Sequence, residues 1–105
     1  MSDRLKELHS LLTDRGAAAT FRRTDQRPGS VLPGCSELSV TVGARHLEVS
    51  QWDGSEDACV YTFPAVDGHP VTTDPDSPAA VWVDLPAAEA VRKVLRLHRA
   101  EIDAA

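Results

Sequence analysis

Between Glu37 and Val42 apolar and polar residues alternate: Leu38, Val40 and Val42 point one way, Ser39 and Thr41 the other. Period-two patterning predicts a half-buried strand. Gly43-Ala44 follows, and glycine at the first central position suits a type II′ two-residue turn. That turn sets Val42 opposite Arg45, Val40 opposite Leu47 and Leu38 opposite Val49, with Thr41 facing His46 and Ser39 facing Glu48 on the other side. Apolar meets apolar and polar meets polar. A slip of one residue would carry Leu47 and Val49 to the wrong face. The stretch 37–63 therefore reads as a three-strand antiparallel meander.

Its second turn, Trp52 to Asp57, holds an Asp-Gly hairpin signal, but two parities are open. A loop of two or four residues puts Ala58, Val60 and Thr62 on the core face. A loop of three or five puts Cys59, Tyr61 and Phe63 there. With the two-residue loop, His46 lies opposite Tyr61 and Glu48 opposite Cys59.

The flanks carry helical spacing. From Asp3 to about Arg15, Leu5, Leu8 and Leu12 form a stripe, with Ser2 or Asp3 as N-cap and Gly16 at the C-terminal cap. From Pro86 onward Val91, Val94, Leu95, His98 and Ile102 form a second stripe. Glu89 early and Arg92, Lys93, Arg96 and Arg99 later complement the helix dipole. Ala17 to Arg23 and Ala80 to Leu85 read as further strands. Pro64 marks a strand end or an edge position, and Asp67-Gly68 turns the chain.

The expected architecture is α+β: a single, mostly antiparallel sheet of about five strands, with an N-terminal and a C-terminal helix packed on one face. Residues 1–105 make one domain, with surface loops at 24–36 and 72–79 and a frayed tail at 103–105. A chain of 105 residues supports one modest core without staples.

Composition narrows the function. The net charge of −5 weighs against nucleic acid as a partner. The N-terminus lacks an apolar signal core and no run reaches membrane-spanning length, so a cytoplasmic protein with no membrane contact is expected. Cys35 and Cys59 lack neighbours at ligand spacing, so reduced thiols and no metal are expected. No cofactor motif is present. Asp74 and Asp76 lack the further ligands of a calcium loop, and the segment reads as mobile.

Two candidate sites remain. Arg22, Arg23 and Arg27 form a local basic cluster that suits an anion, although no glycine-rich loop leads from it into a helix. On the sheet face away from the helices stand His46, Trp52, Tyr61, Phe63 and Trp82, nearly all the aromatic side chains of the chain. Left uncovered, they form an apolar patch of the kind that marks interfaces. Folded under the loops 24–36 and 64–79, they become a second core. A flat sheet face lacks the concavity of a ligand site. His9 and His98 flank the helix stripes and meet only if the helices pack side by side.

The element order α-β-β-β-β-β-α is similar to that of small secretion-chaperone-like and immunity-type proteins, which implies binding of other proteins without catalysis. The expected function is therefore a small cytosolic interaction module, a homodimer or bound to a partner protein, using the aromatic sheet face. The alternative is a small enzyme or ligand-binding protein with Cys59, Glu48, His46 and Tyr61 in one site on that face.

Overall fold

In the computed structural model, residues 4–104 are described. The elements are α1 (Arg4–Asp14), β1 (Ala19–Thr24), β2 (Cys35–Val42), β3 (Arg45–Trp52), β4 (Asp57–Val66), β5 (His69–Pro70), β6 (Val81–Pro86) and α2 (Ala87–Ala104). The fold is α+β. An antiparallel, curled sheet runs β1-β2-β3-β4-β6, with the two-residue β5 paired to the end of β4. Both helices cover one face.

The central hairpin has the expected register, from Val42 opposite Arg45 to Leu38 opposite Val49. Gly43 has φ 55°, whereas Ala44 is not among the residues of positive φ, as a type II′ turn requires. The next connection, 53–56, has four residues, so Ala58 and Val60 face the core. The two-residue alternative has the same parity but the wrong pairing. Tyr61 stands opposite Glu48 and Phe63 opposite His46, each two positions on from the tight-turn register.

The core lies between the sheet and the helices. Leu5, Leu8 and Leu12 are fully buried against Leu38, Val40, Leu47, Val49, Ala58 and Val60, with Ala90 and Val94 from α2. Each buried leucine contributes about 1.5–3 kcal/mol of transfer free energy. Gly16, at φ 83°, ends α1, and Ala17 N–H donates to the Leu12 carbonyl at 3.0 Å. The N-cap expected at Ser2 or Asp3 lies outside the described residues.

Four expectations change. The buried line of α2 is Ala87, Ala90, Val94 and His98, and Ile102 is exposed, because small alanines let the first turns sit close to the sheet. The helix starts after Pro86, which closes β6, and runs through Ala104, so 103–104 of the expected tail are helical and Ala105 lies outside the described residues. The loop after β1 is shorter than 24–36, since Thr24 and Cys35 are themselves paired. β4 continues past Pro64 to Val66. The ladder with β6 stops at Thr62, so the missing N–H of Pro64 faces no strand partner, and its carbonyl accepts from Val71 N–H at 2.9 Å. Asp67 and Gly68, at φ 53° and 81°, then form the β4–β5 turn.

Candidate functional site

Strand alternation assigns the open face. β1 contributes Arg22, β2 Cys35, Glu37, Ser39 and Thr41, β3 His46, Glu48, Ser50 and Trp52, β4 Cys59, Tyr61 and Phe63, and β6 Trp82 and Asp84. Cross-strand pairing lines four rings into a row. His46 and Phe63 have ring centroids 6.1 Å apart, Phe63 and Tyr61 stack at 5.9 Å, and Tyr61 and Trp82 lie at 6.3 Å.

The row is sealed at one end and open at the other. Phe63 is 1% and His46 8% exposed, Tyr61 is half-buried, and Trp82 is 57% exposed. The rings were expected to be all free or all covered, and neither arrangement holds. His46 and Phe63 are buried in this fold, whereas Tyr61 is half-buried and Trp82 reaches the surface. Trp52 is also exposed, but it pairs with Cys35 at the far end of β3. By register it lies four residues along and two strands across from Trp82, about 13 Å by about 10 Å. The two indoles share a face without sharing a patch.

The face is concave, not flat. A hollow of about 400 Å³ opens over Arg22, Glu37, Glu48 and Tyr61, with Thr73 and Pro75 at its rim. The rim belongs to the 72–79 loop, whose side chains hydrogen-bond to its own backbone. Thr72 Oγ1 accepts from Asp74 N–H at 3.1 Å, and Asp74 Oδ1 accepts from Asp76 N–H at 2.9 Å. Asp74 therefore serves the turn. Among the described residues no group of three His, Cys, Asp or Glu is placed to hold a metal ion.

A polar chain runs along the open face to the hollow. Glu48 Oε2 lies 3.0 Å from His46 Nε2, and His46 Nδ1 lies 2.7 Å from Thr41 Oγ1. A carboxylate only accepts, so Nε2 carries a proton and donates to Glu48, while Nδ1 shares the second hydrogen bond with the Thr41 hydroxyl. Thr41 was not singled out from the sequence, although its register opposite His46 was readable there. Thr73 and Pro75 left no such signal, because the path of a long loop depends on the finished sheet.

The Cys59–Glu48–His46–Tyr61 grouping does not assemble as drawn. Cys59 stands opposite Ser50 and Asp84, not Glu48. Burial, reinforced by the Asp84 charge, pushes its thiol up, away from the nucleophilic thiolate. Burial likewise raises Cys35, with the Glu37 carboxylate adding to it, and both cysteines are free.

Arg22, Arg23 and Arg27 do not share one face. Arg22 points to the open face and pairs with Glu37 at 3.3 Å. Arg23, one residue on, points to the other face, where it forms a bidentate pair with Asp53 and a 3.1 Å contact with Asp25. Arg27 lies in the exposed loop beyond. Arg23 instead ties that loop to the 53–56 turn, helped by Asp53 N–H donating to the Gly34 carbonyl at 2.9 Å. His9 and His98 also stay apart. His9 Nε2 lies 3.1 Å from the Ala19 carbonyl, and His98 is buried on α2.

No helix among the described residues is long and apolar enough to cross a membrane. Comparison of the chain with family models, with curated proteins and with solved structures found no match.

Proposed function

We propose that this is a small, non-catalytic, cytosolic interaction module. It contacts another protein chain, first of all a second copy of itself, through the Tyr61–Trp82 end of the open sheet face. The observation that carries this reading is Trp82, 57% exposed on the open face of a strand paired to β4 alone, with Val81 exposed next to it on the opposite face. A large aromatic surface next to an unpaired strand edge is costly to leave in water and is a ready template for association. Proteins usually blunt such edges with lysine, proline or a covering loop. Here Val81, Trp82 and Val83 carry the edge, and charge enters only at Asp84.

The raised Cys59 thiol and the dispersed Cys–Glu–His–Tyr grouping give the enzyme alternative no support. Sedimentation equilibrium tests the module. The expected mass exceeds the 11.3 kDa of one chain at high micromolar concentration, and Trp82→Ala returns it to one chain with an unchanged far-UV spectrum. One chain throughout, with no partner recovered by cross-linking in cells, defeats the proposal.

A further inference from the structure

We propose that the hollow on the open sheet face is a binding site for a protonated amine or a guanidinium group, with Glu48 as its anchor. Nothing in this assignment depends on Trp82 or on self-association.

The charge of the hollow comes from three side chains. Glu37 and Glu48 are diagonal neighbours on adjacent strands, since Glu48 pairs with Ser39 and Glu37 with Ser50. Such positions lie about 7–8 Å apart. Arg22 sits 3.3 Å from Glu37 and offsets that carboxylate. Among the described residues Glu48 has no lysine or arginine partner. Its one ionisable contact is His46. The hollow therefore keeps one carboxylate that no arginine or lysine neutralises, in a chain of net charge −5, and a cation is the complementary guest.

Glu48 is also held in advance. His46 is 8% exposed, packed on Phe63, and has both ring nitrogens engaged, one by Thr41 and one by Glu48. A buried imidazole braced on its far side fixes the carboxylate before any ligand arrives, as supporting residues do in built sites. A carboxylate on a mere solvated strand needs no such bracing. Tyr61, directly opposite Glu48, is fixed by stacking on Phe63 and lines the hollow beside the carboxylate. The volume of about 400 Å³ falls in the range of small-ligand sites and admits a short amine or the end of one basic side chain. An anion fits poorly, because Arg22 is already spoken for by Glu37.

The same chemistry has two sources, a free small cation or a lysine or arginine of another chain. Titration of the ¹⁵N-labelled full chain with n-butylguanidinium, n-butylammonium, neutral butanamide, butyrate and a Gly-Arg-Gly peptide separates them. Both small cations are expected to move the amides of Ser39, Ser50, Tyr61 and Thr73, while butanamide and butyrate do not. Glu48→Gln weakens binding about tenfold or more. Ser50→Lys, which puts an ammonium into the hollow and leaves Glu48 in place, abolishes it and serves where Glu48→Gln fails to fold. Tighter binding of the free cations identifies a small-molecule site, and tighter binding of the peptide identifies a side-chain socket. Absent shifts with the cations, equal binding of butanamide, or cation binding that survives Ser50→Lys overturns the assignment. Solution mass, measured on the same samples, reports separately on the interaction module.

Discussion

His98 is 2% exposed, and its Nδ1 has no hydrogen-bond partner among the described residues. Burial first, and the Arg15 charge second, push the imidazole below its ordinary value of 6.5. The folded chain thus binds this proton less tightly than the unfolded chain. Stability from the neutral ring is present above pH 6.5 and is lost as pH falls from there toward the lower folded value. The urea midpoint is expected to drop as pH falls below 6.5, with a slope of at most one proton, and His98→Leu to flatten that slope. An unchanged slope in the variant refutes the assignment. Asp53 acts lower down. Arg23 holds its carboxyl below 3.8, so that contribution persists until pH falls through the acid range. Two aromatic residues separate stability from contact. Phe63→Ala should cost about 3–5 kcal/mol, and Trp82→Ala no more than about 0.5 kcal/mol, both read from urea denaturation. Cys59 should react slowly with iodoacetamide in the native chain and faster in urea, because its thiol is raised and half-buried.

Among the elements, the β2–β3 hairpin is bound to the last turns of α2. Glu101 accepts from Arg45 Nε at 2.7 Å and from Ala44 N–H at 3.4 Å. A Cβ on Gly43 would meet Glu101 Oε2 at 2.7 Å, and the φ of 55° is itself unfavourable for alanine. Gly43→Ala should therefore cost about 1–3 kcal/mol, and Glu101→Ala in the same chain should return part of it, as a double-mutant cycle in thermal melts would show. This hairpin was legible in the residues because pattern, turn and register all pointed one way. So was the leucine stripe of α1. The 53–56 loop was not, because two and four residues share a parity and hydrophobicity fixes only parity. β5 and the continuation past Pro64 were also hidden, since Pro64 is tolerated only where β6 has already stopped, and that is a tertiary fact. In α2 the alanines carried the packing, and alanine gives a weak hydrophobic signal beside Val91 and Ile102.

At the scale of the molecule, the helices roof one side of the sheet and the other side curls around a hollow of mixed polar and apolar lining with an aromatic edge. Neither the curl nor the segment at its rim was readable from alternation, which assigns residues to a face and says nothing of its curvature. That is why His46 and Phe63, placed on the open face by register, turn out sealed, while Trp82 on the same row stays in water. The accessibility of Trp82 is what sets that end of the row apart. It is tested most directly by acrylamide quenching of the Trp52→Phe protein, in which Trp82 is the sole indole, at dilute and at high micromolar concentration. The prediction is an accessible indole when dilute that becomes shielded as the chains associate. Equal quenching at every concentration, with Trp82 always open or always shielded, would contradict it.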